Sequence, residues 1–321
     1  MPESLKSLGT ISRDEFILPN LGSLIMGLAW GATTSTSIIE LAVLVILSFA
    51  IINLSSAIGA QANTLSDRYL DSKDERKKQL VEALHSFGVN RLKKTIVGEF
   101  ALALILVVVF MLVQQKPILL VLWIIGISVG CAYSLPPTRL KSRKWLAPVS
   151  LILALAVFPV LFAYYTFTTE MSPFFLISLT GLSLTVYGVI VPTEIRDFFG
   201  DKAMDIQTFT VNIGLVKASI LAMTLLTVGA TLTLTAFFLQ FIYAQHEFLT
   251  ILLIAIPIAG FFVLREFRKL YSLSKKYVAT KSYDVENEIV KLSARNPKWI
   301  MIITQTYSVI SIILLVSKFL L

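Results

Sequence analysis

Cysteine occurs once in the 321 residues, histidine twice, and charged side chains make up only 15% of the chain. A lone Cys131 excludes an intrachain disulfide framework and a cysteine-based metal site, and the apolar run around it marks it as a packing residue. Soluble globular chains carry roughly 25% charged residues. Here the shortfall is matched by 56% hydrophobic residues and a mean hydropathy of +0.79, the composition of an integral membrane protein. A cleavable leader is not expected, because the start MPESLKSLGTISRDEF is polar and the first apolar span is too long and has no processing site. That span is expected to remain as a helix.

Windows of about 20 apolar residues, long enough to cross a bilayer, are centred near residues 25, 50, 104, 125, 156, 182, 228, 255 and 310. The reading is an all-α, polytopic membrane protein of about nine transmembrane helices forming one domain over residues 1–321. Of the 28 Lys and Arg residues, 26 fall in the N-terminus and the connections after even-numbered spans; only Lys116 and Lys318 lie on the other side, with Glu40, Glu170 and Glu247. Such asymmetry predicts a cytoplasmic N-terminus and, after nine spans, a C-terminus outside. The net charge of +8 is thereby a topology signal, and basic residues scattered over five membrane-flanking segments do not make a nucleic-acid surface.

Two aspartate-rich stretches stand out against this background, NTLSDRYLD at 63–71 and EIRDFFGD at 194–201. Asn63, Asp67 and Asp71 recur every four residues, as do Asp197 and Asp201, with Asp205 four further on, so each set runs along one helix face with a small drift. Both follow even-numbered spans and belong to the same, cytoplasmic side. Magnesium takes oxygen ligands, typically one or two carboxylates completed by phosphate and water, so facing ladders suit ions bridged by a diphosphate. Bound metal would also relieve the repulsion among the carboxylates.

Between the ladders lies Tyr133-Ser-Leu-Pro-Pro-Thr-Arg139-Leu-Lys141-Ser-Arg143-Lys144-Trp145, where two prolines stiffen a turn that displays four cations. Such cations suit a diphosphate, a guanidinium as a fork and an ammonium as a point charge, or else a positive-inside anchor. Arg143 and Lys144 are read as membrane-side anchors.

With these motifs in this order, the chain resembles the UbiA superfamily of intramembrane prenyltransferases. That family's aspartate motifs are usually written NDxxDxxxD and DxxxD; here they read Asn63-Thr64-Leu65-Ser66-Asp67-Arg68-Tyr69-Leu70-Asp71 and Asp197-Phe198-Phe199-Gly200-Asp201. YSLPPTRLK is similar to the loop of the chlorophyll-synthase and quinone-pathway branches, and GDKAMDIQTFTVNIG to the family's GDxxxGxxTxPVxxG. Thr64 replaces the usual second Asp, Asp205 stands where Gly is common, and Arg76-Lys77-Lys78 occupies the neighbourhood of an Arg-Pro pair.

The resemblance implies helices around a central cavity open to the cytoplasmic interface. It implies Mg2+ as cofactor, two ions held by Asn63, Asp67, Asp71, Asp197 and Asp201. The partners implied are a polyprenyl diphosphate of geranylgeranyl type and a lipophilic acceptor: a quinone precursor, a glycerol-phosphate ether lipid or a chlorin. Ionisation of the diphosphate would be assisted by Arg139, Lys141 and Arg68, with the Tyr133 ring beside the carbocation. Asp201 or Asp205, a bound hydroxide, or the diphosphate itself would take the acceptor's proton. Alternatives are a terpene cyclase using the same ladders, and a secondary transporter, which would place its carboxylates within the spans.

His85 and His246 fall in separate connections and are read as surface residues. The connection 265–299 is expected to form interfacial helix that meets lipid headgroups and caps the cavity. Asn53, within the second span, would either line the cavity or bond a neighbouring helix. Acidic motifs after the second and sixth spans also fit a duplicated four-helix unit.

Overall fold

The computed structural model describes residues 3–33, 37–73 and 77–320, and no strand occurs among them. In chain order the helices are α1 (Glu3–Ser12), α2 (Ile17–Gly31), α3 (Ile38–Asp71), α4 (Lys78–Phe87), α5 (Val89–Gln114), α6 (Pro117–Ser134), α7 (Leu146–Ile152), α8 (Phe158–Tyr165), α9 (Pro173–Ala203), α10 (Phe209–Ile213), α11 (Leu215–Tyr243), α12 (Ala255–Thr280), α13 (Tyr283–Ser293) and α14 (Asn296–Leu320). Their starts follow local chemistry. Ser37 caps α3 by accepting from the Glu40 amide at 3.2 Å, and α6 and α9 open on Pro117 and Pro173, where a missing amide proton costs nothing. A π-helical turn at Leu153–Val157 joins α7 to α8 as one span.

Eight helical segments among the described residues are long and apolar enough to cross a membrane. The protein is therefore an all-α integral membrane protein, and the apolar windows from residue 50 onward correspond to these eight. The first window differs: α2 has 15 residues, about 22 Å of rise against a hydrocarbon core of about 30 Å. It is enclosed by α3, α8 and α14. Glycines permit that closeness: a Cβ on Gly22 would lie 2.6 Å from the Thr304 carbonyl oxygen, and one on Gly27 would lie 2.8 Å from Ala163 Cβ. At its C-terminus Lys318 Nζ donates to the carbonyls of Ala29, Trp30 and Ala32 at 2.9, 3.0 and 3.0 Å, satisfying groups that a helix end leaves without partners. One of the two basic residues on the charge-poor side thus serves as a helix cap.

The largest core joins α9 to α11 and draws in α12 and α14. A second core unites α3, α5 and α6 with α2 and α8, and half-buried Cys131 packs against it. Asn53 turns to neighbours, accepting from Asn20 Nδ2 at 3.5 Å and donating to the Phe49 carbonyl at 2.9 Å. On the basic-rich face α1 and α4 form a small third cluster through Ile11, Leu80, Leu84 and Phe87. His85 is exposed on α4, while His246 is half-buried beside Phe248.

The connection at 265–299 is largely helical, as expected. α12 continues unbroken to Thr280, and only α13 is a separate amphipathic helix, burying Val285, Ile289 and Leu292 against α12 and α9. A basic stretch can extend a spanning helix because Lys and Arg stems cover apolar surface while their heads reach water.

Candidate active site

α3 has 34 residues and α9 has 31, lengths of about 51 and 46 Å that exceed the hydrocarbon core. Their last turns carry the two aspartate ladders. The two helices pack chiefly on other partners, α3 on α5 and α6, α9 on α11 and α14. A cavity of about 340 Å³ opens where the ladders face it, with Asn63, Asp67, Asp71, Asp197 and Asp201 all in its wall.

Each rung of the first ladder is held by a named donor. Asn63 Oδ1 accepts from Ser134 Oγ at 2.8 Å and from Lys141 Nζ at 3.1 Å. Asp67 pairs with Arg139 Nη2 at 3.0 Å and also with Lys141. Asp71, 4% exposed, accepts from Lys77 Nζ at 2.7 Å. On the second ladder Arg196 Nε lies 3.0 Å from Asp197 Oδ1.

The loop that delivers Arg139 and Lys141 is built by its own backbone. Thr138 Oγ1 donates to the Leu135 carbonyl at 3.0 Å, and the Arg139 amide donates to the same oxygen at 2.9 Å. Arg139 takes a left-handed conformation (φ 37°), after which a short 3-10 turn, Leu140–Ser142, brings Lys141 round to the ladder. Ser66 Oγ ties α3 to the end of α6 through the Ser134 carbonyl at 2.9 Å. Arg143 and Lys144 are exposed, in keeping with anchors.

Electrostatics reflect this crowding. Burial pushes the Lys141 ammonium below the usual lysine range, against the opposing pull of Asp67. Lys77 is buried too, but the carboxylates of Asp197 and Asp71 outweigh that penalty and hold it above the usual range. Lys77 also lines the cavity, where it is ion-paired to Asp71 at 2.7 Å.

The site contains the expected residues with two exceptions. Arg68 does not line the cavity: its Nη1 donates to the Leu65 carbonyl at 2.9 Å on the outer side of α3, because a residue next to Asp67 points about 100° away around the helix. Asp205 is exposed in a left-handed conformation (φ 55°), hydrogen-bonded to Gln207 and outside the cavity wall. That conformation favours glycine and is tolerated by Asp. Arg76 lies outside the described residues. Tyr133 is in the wall, as expected.

Other lining residues were not singled out from sequence: Arg13, Glu15 and Phe16 ahead of α2, Lys77, Glu194, Arg196, and Asn296 with Pro297 at the start of α14. Glu194 had a legible signal, since it precedes Asp197 by three positions and extends the ladder by nearly a turn. Arg13 and Asn296 had none, being brought in by helix packing alone.

Oxygen donors of this kind fit a hard divalent cation. Among the described residues no three His, Cys, Asp or Glu side chains come close enough to hold a metal by themselves. Magnesium binds through one or two carboxylates and completes its shell with phosphate and water.

The UbiA prenyltransferase family model matches residues 20–282. The chain belongs to the UbiA prenyltransferase family. Solved UbiA structures share the fold: a UbiA homologue from Archaeoglobus fulgidus gives a TM-score of 0.61 at 17% identity, over 92% of this chain and 99% of that one. The same homologue bound to DMAPP and Mg2+ gives 0.60 at 18% identity with the same coverage. A structure of digeranylgeranylglyceryl phosphate synthase gives 0.58 at 16% identity, over 97% and 99% of the two chains. No curated protein sequence matches the chain. The cavity between the ladders is thus set in a UbiA fold.

Proposed function

We propose that this protein is an intramembrane prenyltransferase that moves a polyprenyl group, of geranylgeranyl type, from its diphosphate to a lipophilic acceptor. The observation that carries the reading is the meeting, in one cavity, of both aspartate ladders with Arg139 and Lys141 from the intervening loop. The UbiA homologue solved with DMAPP and Mg2+ supports the choice of ligand class.

Asn63, Asp67, Asp71, Asp197 and Asp201 are the residues that would hold magnesium. When bound, the metal supplies positive charge to the diphosphate oxygens on which negative charge develops. Arg139 and Lys141 add fixed cations at the same end, a preorganised stabilisation of the leaving group. Both now neutralise Asp67, so they stand in place before a substrate arrives. Tyr133 puts an aromatic ring in the wall beside the ladders, where it can face a developing cation. Phe16, Leu151, Ile190 and Phe209 supply apolar surface for a prenyl chain.

The charge asymmetry supports a cytoplasmic N-terminus and cavity and, with the short, enclosed α2 counted as a ninth crossing, a C-terminus outside. Residues 1–321 act as one domain. A cyclase would share the ladders but release a cyclic hydrocarbon with no acceptor. The deciding experiment supplies labelled geranylgeranyl diphosphate to membranes containing the protein, with and without magnesium, beside Asp67→Asn. A magnesium-dependent labelled lipid absent from the variant is expected; a labelled cyclic hydrocarbon, or no product with any acceptor, would refute transfer.

A further inference from the structure

The cavity also contains two hydrogen-bond acceptors that the prenyl-transfer reading does not use. Glu194 lies three residues before Asp197 on α9 and lines the same wall. Its carboxylate accepts from Thr210 Oγ1 at 2.7 Å and from Tyr187 OH at 3.4 Å. No lysine or arginine forms an ion pair with it among the described residues, unlike Asp67, Asp71 and Asp197.

Asn296, in the first turn of α14, comes from beyond the stretch matched to the family and is 1% exposed. Its amide nitrogen donates to Thr193 Oγ1, on the residue next to Glu194, while its Oδ1 is buried without a partner. An ionised carboxylate offers about four lone-pair sites, of which two are taken here. A buried amide oxygen with no donor is costly to keep. Two acceptors lining one cavity, one short of donors and one without any, suit a ligand that brings an O–H.

Tyr133, Leu151 and Ile190 line the same cavity and offer apolar surface to such a ligand. Resting on the prenyl-transfer reading, we propose that Glu194 and Asn296 form the acceptor subsite, that the acceptor is a lipid alcohol, and that Glu194 takes its proton. The allylic C1–O bond breaks with its electron pair leaving on the diphosphate. A lone pair of the alcohol oxygen forms the new C1–O ether bond, and the hydroxyl proton passes to a Glu194 carboxylate oxygen and later to solvent. Asp67, Asp71 and Asp197 are less suited because cations already occupy them, Asp201 because it is assigned to the metal, and Asp205 because it lies outside the cavity.

The test separates binding from transfer. Full-length protein in detergent is assayed for magnesium-dependent retention of labelled geranylgeranyl diphosphate; the same protein in membranes is assayed for labelled lipid by mass spectrometry. Glu194→Gln, which preserves shape and can keep both neighbours if one hydroxyl turns to accept from the amide nitrogen, is expected to retain the diphosphate within twofold of wild type. Ether formation should fall about a hundredfold or more, as for loss of a general base. Glu194→Asp should recover part of it, and Asn296→Ala should lower it about tenfold. Full ether formation by Glu194→Gln overturns the proposal. So does loss of diphosphate retention in that variant, which would make Glu194 part of the metal clamp, and so does a wild-type product joined through carbon. Failure of wild type to retain the diphosphate would instead refute the prenyl-transfer reading beneath it.

Discussion

Arg139 Nη2 lies 3.0 Å from Asp67 Oδ1, joining a loop to a helix 72 positions earlier in the chain. The pair ties the cation of one motif to the carboxylate of another before either meets a substrate. Lys141 holds the other carboxylate oxygen of the same residue, so Asp67 is fixed from two sides. An anionic ligand and a divalent metal would each find a partner in this arrangement, the first in the cations and the second in the carboxylate.

Asp67→Asn and Asp201→Asn should each lower magnesium-dependent prenyl transfer about a hundredfold or more, the scale of losing a preorganised charge-stabilising group. Both variants should remain folded, because an amide oxygen can still accept a hydrogen bond. Size-exclusion profile and product yield are read together; substantial magnesium-dependent turnover would remove that position from the metal set.

Lys141→Ala should weaken diphosphate retention more than it changes dependence on acceptor concentration. Arg68→Ala should leave both within twofold, since Arg68 bonds its own helix outside the cavity. Kinetics at varied diphosphate with fixed acceptor, and the reverse, distinguish these outcomes. A Lys141 effect confined to acceptor would contradict its assignment.

Gly229→Ala should loosen the seam between α9 and α11. An added Cβ would lie 2.6 Å from the Gly181 carbonyl oxygen and from the Thr185 amide nitrogen, both backbone atoms that cannot swing aside. Overpacking of this kind costs about 1–3 kcal/mol, to be read as a lower Tm in detergent. An unchanged Tm would mean that the seam can part at no cost.

Lys318→Met keeps an apolar stem but leaves the Ala29, Trp30 and Ala32 carbonyls without their donor. A loss of about 1–3 kcal/mol is expected from the unmet groups. Thermal unfolding in detergent should show it, with diphosphate retention at low temperature little changed because the cap is remote from the ladders.

Tyr243→Cys and Tyr283→Cys, made in a Cys131→Ser background, test the orientation. Both tyrosines are well exposed, at 78% and 72%, one before the charge-poor connection ahead of α12 and the other in the basic segment ahead of α14. A membrane-impermeant thiol reagent applied to intact cells should label position 243 and spare position 283. The reverse pattern would invert the topology.

Much of this architecture was legible because its signals are local. Apolar windows located the eight spanning segments, and four-residue recurrence put Asn63, Asp67 and Asp71 on one face. The α2 length was less visible: hydropathy counts apolar residues, whereas the helix ends at Gly31 and is buried by glycine contacts with other helices. Arg68 was misplaced by proximity in sequence, although helical geometry already turns the neighbour of Asp67 to another side. Lys77 was noted only as part of a basic cluster, and its place in the cavity wall, paired with Asp71, became evident from the packed structure.

The sequence alone determined the membrane setting, the helical class and the two aspartate ladders, since hydrophobicity and helical period depend on residues within a few turns of one another. Only the tertiary structure decided which groups share the cavity: Arg13 from the N-terminal segment, Glu194 beside the second ladder, and Asn296 at the head of α14. Those meetings depend on how glycine-lined helices close against each other, a packing outcome between residues hundreds of positions apart that no local pattern records.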